Sequence, residues 1–146
     1  MANDPRKTLL HQQRERALQL GREDLPGAQH ELQQLFESPF PDVRRLAASA
    51  AGKIAERHKD TILSDNLLSL AEKDPAPQVR QYALKALAKC PQRIIGTIDG
   101  IKDLARDATQ PDYVRRAAAE LIAAVEEYER KRFVFDGSFK CLALTI

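Results

Sequence analysis

Arginines recur at one place in a repeated context, and they are the first residues here whose type and spacing could do chemistry. "PDVRRLAASA" (41–50), "PQVRQYALKA" (77–86) and "PDYVRRAAAE" (111–120) each set a guanidinium just after a proline, giving Arg44 and Arg45, then Arg80, then Arg115 and Arg116. Guanidinium groups at regular intervals can pair with carboxylates or hold phosphate, and a periodic chain lines them up along one edge. Other reactive types are scattered. His11, His30 and His58 contain no i, i+4 pair, so no metal site is expected. Cys90 falls on an apolar repeat position and reads as a small buried hydrophobe, while Cys141 has no neighbouring base to activate it. Phosphate loops, nucleotide-binding glycine patterns and nucleophile elbows are missing from the sequence. Glu126 and Glu127 belong to "EEYERKR", a solvated helix end. No catalytic residue, metal ligand or cofactor is therefore expected, and the chain does not read as an enzyme.

The elements that position the arginines are periodic. Pro5, Pro41 and Pro77 are 36 residues apart, and the next copy follows 34 or 35 later, Tyr113 being the extra residue. After each proline the apolar positions follow i, i+3, i+4, i+7, i+8, i+11, one stripe of an amphipathic helix. Val43, Leu46, Ala47, Ala50, Ala51 and Ile54 form the stripe in the second copy. Alanine dominates it, so these helices can approach closely. A bulkier set lies between them, with Leu32, Leu68 and Leu104 again 36 apart. Asp24 and Asp60 read as N-caps for two of these second helices, and Gly96 and Gly100 weaken the third. Each repeat is thus expected to be a first helix with a thin seam and a second helix with a bulky face, stacked into one core.

These residues resemble HEAT repeats, and most closely the short HEAT-like repeats of the phycobilin-lyase type. The likeness is close over 38–129 and loose over 5–37. It implies an all-α, right-handed α-solenoid of three to four HEAT-like helical hairpins. It also implies a ladder, in which an acid in the inter-repeat turn pairs with a basic residue early in the first helix. Arg44, Arg80 and Arg115 hold the basic places. Asp74 and Asp107 lie in turns just before the next helix, and Ser38 stands at the matching earlier place. A cation near a helix N-terminus opposes the macrodipole, which also favours a carboxylate partner.

A different pattern follows the repeats. In "FVFDGSFKCLALTI", Asp136-Gly137 sits between apolar runs, a signal for a two-residue β-hairpin. We divide the chain into a HEAT-like domain (1–132) and a β-hairpin tail or start of a further domain (133–146). Phe133, Phe135, Phe139, Leu142 and Leu144 would give that tail an apolar surface for self-association or partner capture.

Charge bounds the function. The 23 basic and 21 acidic residues leave a formal net charge of +2. That balance does not announce a nucleic-acid or membrane partner. There is no signal-peptide core and no apolar run of membrane-spanning length, so a cytoplasmic location is expected. The expected function is a non-catalytic protein-binding scaffold or adaptor. Its second helices would present Asp65, Asn66, Ser69, Asp99 and Lys102 to a partner protein. The alternative is a nucleic-acid-binding module using the edge of Arg44, Arg45, Arg80, Arg115 and Arg116. The resemblance alone adds a third possibility, a bilin-lyase-like chromophore chaperone.

Overall fold

The computed structural model describes residues 4–145, and the side chains of residues 4–133. Every regular element among them is helical: α1 (Pro5–Arg22), α2 (Ala28–Leu35), α3 (Pro41–His58), α4 (Ser64–Lys73), α5 (Pro77–Leu87), α6 (Ile98–Arg106) and α7 (Asp112–Thr145). Two 3-10 turns, Pro91–Arg93 and Ile95–Thr97, precede α6. They occupy the stretch that Gly96 was expected to weaken.

Proline opens α1, α3 and α5, where its missing N–H leaves no helical bond unmade. α1 has a side-chain cap, Asp4 Oδ1 accepting from the Arg6 N–H at 3.0 Å. Asp24 and Asp60 do not cap α2 and α4; Gly27, with φ 77°, and Leu63 hold those positions. The left-handed conformation at Gly27 favours glycine there.

Two layers result. α1, α3, α5 and α7 lie side by side, and α2, α4 and α6 cover them. The pairing phase differs from the expected one. α4 packs along α5 and barely touches α3, and α6 packs along α7 rather than α5. The hairpins are therefore α2–α3, α4–α5 and α6–α7, with α1 added in front. The apolar series identifies both faces of the repeat but does not say which neighbour each second helix meets.

The alanine seam works as its composition implies. A Cβ built on Gly52 would lie 3.2 Å from the Ala86 Cα, and one on Gly21 3.1 Å from the Ala50 Cβ. These helices approach nearly to backbone contact, and Ala47, Ala48, Ala51 and Ala55 are fully buried between them. Much of the bulk comes from the other layer and its turns: Leu32, Leu63, Leu67, Ile94 and Ile101 are at most 1% exposed. Burying each such side chain is worth about 1.5–3 kcal/mol.

The expected C-terminal β-hairpin is not formed. α7 continues unbroken through Asp136 and Gly137 to Thr145, crossing residue 132 without interruption. Extending an existing helix adds a hydrogen bond per residue without a new nucleus, whereas a lone two-stranded hairpin is marginal in water. No helix among the described residues is long and apolar enough to cross a membrane.

Candidate functional site

Repetition places the arginines in two environments. Arg44 and Arg80 turn inward along the edge formed by the proline turns. Arg44 donates to both carboxylate oxygens of Asp74, at 2.8 and 3.2 Å, and to the Ser38 carbonyl at 2.8 Å. The Arg44 and Asp74 side chains are only 12% and 3% exposed. One repeat later, Arg80 donates to Gln110 Oε1 at 3.2 Å and to the Asp74 carbonyl at 2.7 Å. Each guanidinium thus joins its own proline turn to the next one.

The implied ladder differs at its last acid. Gln110, not Asp107, fills the rung. Asp107 instead accepts from the Thr109 N–H and hydroxyl at 2.9 and 2.6 Å, which hold its carboxyl below the usual range. Arg115 pairs locally with Asp112, and its buried Nε has no hydrogen-bond partner among the described residues.

A second ladder, absent from the sequence reading, runs along the opposite edge. His58 meets Asp24 at 2.9 Å, Arg93 pairs with both oxygens of Asp60 at 2.6 and 2.7 Å, and Arg57 donates to the Gly21 carbonyl at 2.9 Å. The Arg93 guanidinium, with the Thr61 N–H, holds the Asp60 carboxyl below its ordinary range. Asp24 and Asp60, 36 residues apart, were the available signal.

Arg45 and Arg116 point the other way, onto the outer face of the α1–α3–α5–α7 layer. The Arg45 guanidinium lies 5.4 Å from the Tyr82 ring centroid and the Lys85 ammonium 5.3 Å from it, both in cation–π range. Thin seams leave grooves between the helices, and three clefts follow them. One of about 290 Å³ lies among Asp42, Arg45, Pro77, Gln78 and Tyr113. A second, about 180 Å³, joins Gln81 and Lys85 to Tyr113 and Arg116. A third, about 160 Å³, lies between Ser49, Lys53 and Glu56 on α3 and Tyr82, Lys85 and Lys89 on α5. Tyr113 is common to the first two and Lys85 to the last two, so the clefts form one connected surface. Asp42 lies 3.7 Å from Arg45, and Glu56 3.6 Å from Lys89. Among the described residues, Lys53, Lys85 and Arg116 have no carboxylate at salt-bridge distance.

The other candidates lie apart from this surface. Asp65, Ser69 and Asp99 are exposed and Asn66 and Lys102 half-buried, on α4 and α6, which touch each other at few points. Phe133 is exposed on α7; Phe135, Phe139, Leu142 and Leu144 belong to the same helix, and their side chains lie outside the described residues, as does that of Cys141. Cys90 is fully buried, and desolvation, with Asp60 nearby, pushes its thiol up to about 11. The described residues contain no group of His, Cys, Asp and Glu able to hold a metal ion.

Comparison with known families agrees with this architecture. The HEAT repeats family matches residues 28–123, from the start of α2 into α7, and the chain belongs to that family. No curated protein and no solved structure matches it.

Proposed function

We propose that this HEAT-repeat chain is a non-catalytic scaffold that binds a partner protein on the outer face of the α1–α3–α5–α7 layer. The observation that carries the reading is the connected cleft surface holding Arg45, Tyr82, Lys85, Tyr113 and Arg116. Tyrosine and arginine give large contact areas at modest entropic cost and are enriched at interface hot spots. The cations with no carboxylate at salt-bridge distance among the described residues favour a partner segment bearing carboxylates. Asp65, Asn66, Ser69, Asp99 and Lys102 would face a second partner, or none, on the opposite layer.

Affinity capture from the native cell tests this, with two charge-altered variants beside the wild type. Lys85→Glu with Arg116→Glu is expected to lose the captured partner, while Asp65→Asn with Asp99→Asn retains it. The reverse result would move the interface to the second helices and refute the assignment.

Nucleic-acid binding is the second reading, favoured by the alignment of Arg45, Lys53, Lys85, Lys89 and Arg116 along that face. Asp42, Glu56 and Glu120 among these cations weaken a phosphate-binding field, so a protein partner ranks first. Tight duplex or single-strand binding that falls steeply with salt would reverse the order. The finer likeness to phycobilin-lyase repeats would add a chromophore-chaperone role, and no observation of the described clefts favours it.

A further inference from the structure

The repeat also says what each first helix should bury, and α7 departs from it. In α3 one stripe runs Arg44, Ala48, Ala51, Ala55; in α5 it runs Arg80, Leu84, Leu87. Apart from the arginines, every member is fully buried. The same register in α7 gives Arg115, Ala119, Ile122 and Glu126. Here Ala119 and Glu126 are exposed and Ile122 is half-exposed.

The arginine at the head of the stripe is changed in the same way. Arg44 and Arg80 each take a side-chain oxygen from the residue 30 positions later. Thirty positions after Arg115 the chain is at Thr145, on α7 itself and about 45 Å along the helix axis. That acceptor cannot return, and the buried Nε is left without a partner among the described residues. α1, at the other end of the stack, presents the polar residues His11, Gln12, Glu15 and Gln19 outward. It is therefore a poor surface to lay on an alanine-and-isoleucine stripe, which argues against head-to-tail stacking of copies.

We infer that the open stripe of α7 is an interface with a second copy of this chain, α7 lying antiparallel against α7 about a two-fold axis. The stripe is self-complementary in that arrangement. The axis that sets Ala119 of one copy against Ile122 of the other also sets Arg115 against Glu126, and each pair occurs twice. Small opposes large, as close helix packing requires, and cation opposes anion. Glu126 is exposed and has no cation at salt-bridge distance among the described residues. The pairing adds to the local Asp112 a carboxylate from a neighbouring helix, as Arg44 obtains one from Asp74. From Arg115 to Glu126 the stripe is only about 17 Å long, so the dimer is weak and reversible.

Sedimentation equilibrium of the full chain across a range of concentrations tests this. The wild type is expected to show a concentration-dependent dimer. Ala119→Arg, which places a long charged side chain at the contact, is expected to weaken it by at least about tenfold. Arg115→Glu and Glu126→Arg are each expected to weaken it as well, and the two combined to restore it. Circular dichroism checks that the variants keep the helical content of the wild type; if Ala119→Arg does not, Ala119→Lys serves in its place. A strictly monomeric wild type at high concentration overturns the inference. Dimerisation undiminished by Ala119→Arg or its substitute, or a charge swap that does not restore association, overturns it equally.

Discussion

The two edges of the stack are stitched by the same kind of pair at nearly the same spacing, yet they differ in burial. On the proline-turn edge, Arg44 and Asp74 are separated by 30 residues and almost completely enclosed. On the opposite edge, Arg93 and Asp60 are 33 residues apart, and their side chains are 42% and 50% exposed. Repetition brings both pairs together; surroundings decide what each contributes. An enclosed pair that loses one member leaves a charge with neither water nor partner. An exposed pair loses little, because water and salt already screen it.

The strongest way to break this contrast is Asp74→Ala. It strands the Arg44 guanidinium and removes the acceptor of the Ala76 N–H in the turn. We expect a loss of about 3–5 kcal/mol in denaturant unfolding. A loss as small as that of an exposed pair would mean that water reaches the rung.

A smaller effect is expected midway between the edges, where the seam fixes the spacing on which both depend. Ala86 is 2% exposed and lies against Gly52. Ala86→Leu is expected to destabilise by about 1–3 kcal/mol, read as a lower thermal midpoint, since the added volume must force α3 and α5 apart. Gln110→Glu tests the enclosed edge in the opposite direction. It gives Arg80 a charged acceptor in place of an amide and is expected to stabilise by about 1 kcal/mol at neutral pH.

The smallest effect is expected from Arg93→Ala on the exposed edge, a slight lowering of the thermal midpoint at neutral pH that fades in acid. Its signature lies in the acid limb. A carboxyl whose folded pKa is depressed contributes stability above its unfolded pKa and loses it as pH falls through the folded value. Asp60 is depressed chiefly by the hydrogen bond from Arg93. The variant's stability is therefore expected to depend less on pH below about pH 4, as followed by acid titration of helicity. An acid limb identical to the wild type would show that the pair does not persist in solution.

Much of this architecture was legible because it rests on counting. The 36-residue interval, the alanine seam and the burial of Cys90 all follow from which residue types recur at which offset. Pairing phase was less accessible, because the leucines of α4 say that a bulky face exists and not whether α3 or α5 receives it. Gln110 was passed over because an acid was sought and an amide serves the same geometry. Arg45 and Arg116 could be placed on the arginine edge, but their separation from Arg44, Arg80 and Arg115 needed the helix orientation. At Asp136-Gly137 a local turn signal was outweighed by the helix already running into it.

The proline-turn ladder also has a mechanical meaning. Asp74 takes Arg44 with its side chain and Arg80 with its carbonyl, so three successive turns, at Ser38, Asp74 and Gln110, are joined in one continuous line. A stack fastened firmly along one margin and lightly along the other flexes like a fan, with the firm margin as its spine. Thermal bending will concentrate at the Asp24–His58 and Asp60–Arg93 margin, where ionic strength sets the stiffness of the ties. The curvature of the stack is then an elastic variable, softer in high salt than in low.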